Sequence, residues 1–260
     1  MKLNTAQTQR AIFLAAVCGQ TYMQFSNQDG RFVLPANYTL FDTIEAQSLI
    51  GIWERFGYII QSVQEIIIAF RGTSSAPNWI ADVIASQRKF KYVQENVLTH
   101  AGFTGIYNSA RKQIKSALRR LSKDKALFIT GHSLGAALAV LCAVDVAANT
   151  ARVPVLFTYG SPRIGDPAFA QAFKRYVPNS YRIASTFDPV TYAPPSIYKL
   201  PKRDKAYYYS HVPTLIPLDF LKGSISGNHV IGSYYAELAK LDPQFSEKLR
   251  EANPGLCPVE

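Results

Sequence analysis

The residues with the clearest chemical potential sit together at Gly131-His132-Ser133-Leu134-Gly135, a Gly-x-Ser-x-Gly pattern. The apolar run Ala126-Leu127-Phe128-Ile129-Thr130 leads straight into it, and Ala136, Ala137 and Leu138 follow without a break. β-formers running directly into a helical pattern leave no room for a loop, so the chain must turn sharply at Ser133. Glycines two places either side remove side chains that would collide in such a turn. The turn lifts the Ser133 hydroxyl clear of the strand and sets it at a helix N-terminus. There the Leu134 N–H faces a developing oxyanion.

A serine hydroxyl is a weak nucleophile and needs a general base that is itself oriented by an acid. The chain has four histidines. His132 lies inside the turn and cannot reach its neighbour's hydroxyl, and His100 reads as a turn histidine bonded to backbone. His211 follows a tyrosine run in a loop. His229, in Gly227-Asn228-His229 before the final helical pattern, suits the order nucleophile, acid, base and is the expected base. The acids between Ser133 and His229 are Asp145, Asp166, Asp188, Asp204 and Asp219. Asp145 is too deep along the helix after Ser133, Asp166 before Pro167 reads as a helix N-cap, and Asp204 sits in a Lys/Arg run. Asp188 directly follows the strand Tyr181–Thr186 and precedes Pro189, at the carboxyl edge of a sheet where such sheets bind ligands. It is the expected acid. Thr73, just past the apolar strand Glu65–Phe70, is the expected second oxyanion donor beside Leu134.

These residues need a scaffold that brings strand ends together. Glu65–Phe70 is apolar on both faces, as a central strand should be. Gly57–Ser62, Val153–Tyr159 and Tyr181–Ser185 read as further strands, and Arg31–Leu40 and Ile50–Trp53 as short ones. Phe103–Leu121, Leu134–Ala148, Pro167–Tyr176 and Val230–Leu241 read as helices. The alternation predicts an α/β fold with a mainly parallel sheet covered by helices on both faces. Ala76–Arg88 carries Trp79, Ile80, Val83 and Ile84 at helical spacing, with Ser75 as a candidate N-cap and Pro77 in the first turn. Tyr192–Pro217 reads as loops with an edge hairpin.

Length and composition limit the alternatives. A chain of 260 residues with 48% apolar content fits one α/β domain spanning 1–260, with a full core. Its apolar runs are too short to span a bilayer. Lys2 and Arg10 around Ala11–Cys18 resemble a short signal core, but no small-x-small site follows and the helical pattern continues, so a packed N-terminal helix is expected. That makes the sequence reading cytoplasmic. Cys18, Cys142 and Cys257 have no metal-ligand spacing; a Cys18–Cys257 pair stays open, while a zinc site and a disulfide framework are not expected. The net charge of +10 concentrates in Arg88-Lys89-Phe90-Lys91, in Arg119-Arg120 with Lys123 and Lys125, and in Lys199–Lys205. The plain reading of these clusters is a solvated surface; the functional reading is an anionic lipid interface, and nucleic acid, with no recognised motif beside the charge, is a weak third.

Set in order, Phe70–Ser75, Asn78-Trp79-Ile80-Ala81-Asp82, His100–Phe103, Gly131–Gly135, Ser161–Phe169, Asp188-Pro189-Val190 with Pro194-Pro195, and His229 resemble the class 3 lipase family, the filamentous-fungal triacylglycerol lipases and their bacterial relatives. The resemblance implies an α/β-hydrolase fold with a short helical lid at about 74–90 bearing Trp79, Ile80, Val83 and Ile84. It implies Ser133, Asp188 and His229 as triad, Thr73 and Leu134 as oxyanion hole, and no metal or organic cofactor. The activity it implies is hydrolysis of acylglycerol esters by a monomer at a lipid–water interface. Phospholipase, soluble-ester (feruloyl-type) esterase and non-catalytic interaction module are the alternatives. The fungal members are secreted and disulfide-bonded, so the resemblance leaves an extracellular location open beside the cytoplasmic one; this chain lacks their cysteine pattern, and its Tyr192–Pro217 stretch has no match in the family pattern.

Overall fold

The computed structural model describes residues 2–73, 86–199 and 205–259. Its centre is a seven-stranded sheet in the order β1-β2-β3-β6-β7-β8-β11. Strands β1 (Thr39–Gln47), β2 (Trp53–Gln61) and β3 (Glu65–Phe70) form an antiparallel meander. From β3 the sheet continues parallel through β6 (Ala126–His132), β7 (Pro154–Tyr159), β8 (Ser180–Ser185) and β11 (Leu215–Leu218). The short pairs β4 (Gln87–Lys89) with β5 (Leu98–His100), and β9 (Ile197–Lys199) with β10 (Ala206–Tyr208), stand apart from it.

Period-2 alternation sends successive side chains of β3 into two separate cores. Ile66, Ile68 and Phe70 pack with α2 (Ala101–Arg120) and α3 (Leu134–Asn149) on one face. Ile67 and Ala69 pack with α1 (Thr5–Ser26) on the other. A strand buried on both faces cannot alternate in polarity, which is why β3 reads as a continuous apolar run. The first core also takes α4 (Pro167–Tyr176), and the second takes α6 (Ile231–Ala239) and α7 (Pro243–Ala252). A short α5 (Ile225–His229) leads into α6.

The N-terminal stretch folds as a packed helix whose Asn4 side chain accepts from Gln7 N while Gln7 reaches back to Asn4 N, a reciprocal cap. All three cysteines are free, so Cys18 and Cys257 are not bridged; Cys18 Sγ instead lies 3.3 Å from Thr130 Oγ1. Among the described residues no helix is long and apolar enough to cross a membrane.

Several boundaries differ from the sequence reading. Arg31–Tyr38 is not strand: Pro35 interrupts it, Asn37 turns with φ 68°, and Val33 N–H is held by the Gln20 side chain. The strand begins at Thr39, and its half-polar edge face hides the alternation. Ile50–Ile52 is the turn between β1 and β2, with Gly51 at φ 85°. Gln87 and Arg88, read as the end of a helix, belong to β4 and pair with His100 and Thr99. Residues 76–85 of the expected helix, with Trp79, Ile80, Val83 and Ile84, lie outside the described residues. The expected hairpin in 192–217 is β9–β10, but Leu215–Leu218 adds a parallel edge strand. Pro217 is tolerated there because an edge strand need not donate on its outer side. α7 was not expected, although Asp242 before Pro243 is a readable start signal.

Two buried polar groups stabilise the frame. Asp145, on α3 and 2% exposed, accepts from Arg111 (2.5 and 2.9 Å), Tyr107 (2.6 Å) and Asn149 (2.8 Å), tying α2 to α3. His100 caps α2, its Nδ1 accepting from Gly102 N and Phe103 N. Burial pulls its pKa down from 6.5 to about 4, so it is neutral in the native state.

Replacing Asp145 with Ala strands a guanidinium and a buried phenol, and is expected to cost about 3 kcal/mol in urea denaturation at neutral pH. Acidification has a separate effect. Below about pH 6.5 the unfolded chain protonates His100 while the native chain does not. Stability is therefore full above that value and falls as pH drops toward about 4. His100→Asn, which keeps a capping acceptor, should recover about 2 kcal/mol of the loss seen between about pH 7 and pH 4.5.

Candidate active site

The site is assembled at the carboxyl edge of β6, β7 and β8. β6 passes into α3 with Ser133 alone as the turning residue, at φ 59° and ψ −127°. A non-glycine residue rarely adopts this conformation, and here its neighbours impose it. A Cβ at position 131 would sit 2.2 Å from Gly135 O, and one at position 135 would sit 2.3 Å from Phe70 O. Backbone therefore approaches backbone on both sides of the turn. Ser133 N–H is tied to Tyr159 O on β7 (3.0 Å).

Asp188 follows β8 at the start of a 3₁₀ turn, Pro189–Tyr192, and is completely buried. Its Oδ1 accepts from Val190 N (2.9 Å). Its Oδ2 accepts from Tyr234 Oη on α6 (2.7 Å) and lies 2.8 Å from His229 Nδ1. His229 Nε2 is 2.7 Å from Ser133 Oγ. A carboxylate only accepts, so Nδ1 carries the imidazole proton and Nε2 is left to accept from the Ser133 hydroxyl. Gly160, at φ 55°, allows this packing: a Cβ there would stand 2.8 Å from Asp188 Oδ2.

The structure thus brings Ser133, Asp188 and His229 into one hydrogen-bonded chain. Leu134 opens α3, where the first N–H groups have no intrahelical acceptor. Thr73 and Ser133 line the same cavity of about 1060 Å³, together with Val33, Ile231, Cys257 and Val259. The acids passed over in the sequence have other partners. Asp145 is held by Arg111, Asp166 caps α4 through Phe169 N (2.7 Å), and Asp219 accepts from Thr186 Oγ1 (3.0 Å). Asp204 is outside the described residues. His211 lies 2.7 Å from Thr191 O; partial burial, and secondarily the nearby Arg182, lower its pKa to about 3.

Three contributors escaped the sequence reading. Tyr234 both donates to Asp188 and accepts from Ser185 N (3.1 Å). His132 lies beside His229, the two rings tilted to each other with centroids 4.7 Å apart. Its Nε2 lies 2.6 Å from His229 O, and a carbonyl only accepts, so Nε2 donates; Nδ1 then accepts from Tyr22 Oη at 2.6 Å. Burial, and secondarily the nearby His229, hold the His132 pKa well below its ordinary value. A signal existed only for Tyr234, which faces back toward the site one turn beyond His229. Tyr22 lies far away in sequence on α1. Among the described residues no His, Cys, Asp or Glu cluster could hold a metal ion.

The family described as "Lipase (class 3)" matches residues 67–198. A phospholipase A1 of Oryza sativa subsp. indica is 27% identical over 235 residues, covering 74% of this chain and 53% of the relative. A lipase of Rhizomucor miehei is 36% identical over 116 residues, covering 42% of this chain and 32% of that one. The chain thus spans from about a third to about half the length of these curated relatives. A lipase structure from Rhizopus microsporus var. chinensis superposes with TM-score 0.65 at 25% identity, over 80% of this chain and 79% of that one. Since the family match takes in just over half of its residues, the chain belongs to the class 3 lipase family, a family of carboxylic ester hydrolases.

Proposed function

We propose that this protein hydrolyses acylglycerol esters through an acyl-enzyme on Ser133, within a single domain over 1–260. The observation that carries the reading is the chain Ser133–His229–Asp188, of which Ser133 and His229 line a large, mostly apolar cavity. Ser133 Oγ attacks the ester carbonyl while His229 Nε2 takes its proton. Asp188 keeps the imidazole in the required tautomer and stabilises it once charged. The N–H groups of Leu134 and Thr73 stabilise the tetrahedral oxyanion. The alcohol leaves with the proton from His229, and water activated by the same imidazole releases the fatty acid.

Relatives named phospholipase A1 favour a second reading, in which the same serine cleaves an acyl ester of a phospholipid. The two share every step and differ only in the group leaving with the alcohol. The interfacial part of the proposal rests on the sequence between Thr73 and β4. There Trp79, Ile80, Val83 and Ile84 at helical spacing supply an apolar face for a lid that opens at oil–water boundaries.

Emulsified triacylglycerols and diacyl phospholipids assayed side by side test the reading. Ser133→Ala and Asp188→Asn are expected to lower kcat on the order of 10⁴-fold on whichever substrate is cleaved. Tyr234→Phe, which removes one of the bonds orienting Asp188, should lower kcat about tenfold with KM little changed. Wild-type hydrolysis of a short ester should rise as substrate passes its solubility limit, and Trp79→Ser should flatten that rise. A wild-type rate on all these esters no higher than that of Ser133→Ala contradicts the reading.

A further inference from the structure

The β9–β10 hairpin has no part in the site described so far, and all but its first two residues lie beyond the matched family segment, which ends at residue 198. It is nonetheless firmly attached. Gln87 Nε2 on β4 donates to Tyr208 O (2.6 Å), Tyr209 Oη donates to Ser86 O (3.3 Å), and Ser210 N donates to Gly165 O (2.8 Å). Gly165 also bridges to Thr99 of β5. β5 runs into the N-terminus of α2, and Gly165 lies between the carboxyl end of β7 and the N-terminus of α4. These contacts fix the hairpin at the same edge of the sheet as Ser133.

Between the two short strand pairs lies a cavity of about 420 Å³ lined by Arg88, Lys89, Lys205, Tyr207, Tyr208 and Asp166, among others. Arg88, Lys89 and Lys205 are exposed, and so are Lys91 and Lys199 beside them. None of these five has an ion pair among the described residues. Asp166 is the lining carboxylate, and it accepts from Phe169 N. Tyr208 and Ile197 on the hairpin, and Tyr192 just before it, are each more than half exposed. Cations flanked by exposed tyrosines and an aliphatic side chain match a bilayer surface, with phosphates outside and the headgroup–acyl boundary beneath.

We propose that the β4 and β9–β10 elements form a docking surface for anionic phospholipid bilayers, with a lipid phosphate in the cavity between Arg88, Lys89 and Lys205. Docking there presents the edge of the sheet that carries Ser133 to the lipid. This deepens the ester-hydrolase reading and rests on it for its purpose, though not for its measurement. The other basic cluster, Arg119 with Lys123, lies at the C-terminal end of α2, on the opposite edge of the sheet. Docking through it would turn Ser133 away from the bilayer, so it serves as a charge-matched control.

The test is partition of the active protein onto vesicles of non-hydrolysable dialkyl phosphatidylcholine, with and without about a third dialkyl phosphatidylglycerol. Each basic residue near an anionic bilayer is worth about fivefold in affinity. Wild type should bind the anionic vesicles at least tenfold more tightly than the neutral ones, with the preference lost in high salt. Arg88→Glu/Lys205→Glu should abolish the preference, whereas Arg119→Glu/Lys123→Glu, with the same change in charge, should retain it. Both variants should keep the wild-type circular-dichroism spectrum and melting temperature, which establishes that they fold. If either does not, Arg88→Gln/Lys205→Gln against Arg119→Gln/Lys123→Gln is read the same way. Equal loss in both pairs, retention by the first pair, or full displacement by inorganic phosphate at constant ionic strength overturns the proposal. None of these results depends on which serine performs hydrolysis.

Discussion

The structure depends on one steric constraint, the passage of the chain from β6 to α3 through Ser133. Backbone oxygens of Gly135 and Phe70 occupy the space that side chains at positions 131 and 135 would need. With no slack on either side, Ser133 is held at positive φ, a conformation costing on the order of 1–3 kcal/mol that only dense surroundings can maintain. Those surroundings are the two cores: α3 is buried along nearly its full length, and β6 is flanked by β3 and β7 in parallel register. The strain fixes the direction of one hydroxyl.

The partners of that hydroxyl come from separate elements, and each is positioned by bonds that are not themselves chemical. Asp188 is held from one side by the turn it begins and from the other by Tyr234. The backbone of His229 is held by His132, which is held in turn by Tyr22. α1 thereby reaches the site although it supplies no reacting atom. Burial, and secondarily the nearby His229, keep the His132 ring neutral, so that Nε2 donates to the His229 carbonyl while Nδ1 accepts from Tyr22.

Much of this was legible in the residues. The turn at Ser133, the two-faced burial of β3 and the choice of Asp188 and His229 follow from local patterns that tertiary structure had no reason to override. The failures have physical causes too. Residues 31–38 are rich in strand formers, but their backbone is engaged by Gln20 and broken by Pro35. Gln87 and Arg88 continue a helical pattern, yet pairing with β5 outweighs propensity over so short a span. Contacts such as Tyr22 with His132, 110 positions apart in the chain, leave no local trace.

The central claim is that Ser133 alone is an activated nucleophile. Intact-mass analysis after exposure to a fluorophosphonate measures this directly. The account predicts a single adduct, mapped to Ser133 and absent from Ser133→Ala. An unmodified protein, or an adduct that persists in Ser133→Ala, would contradict it.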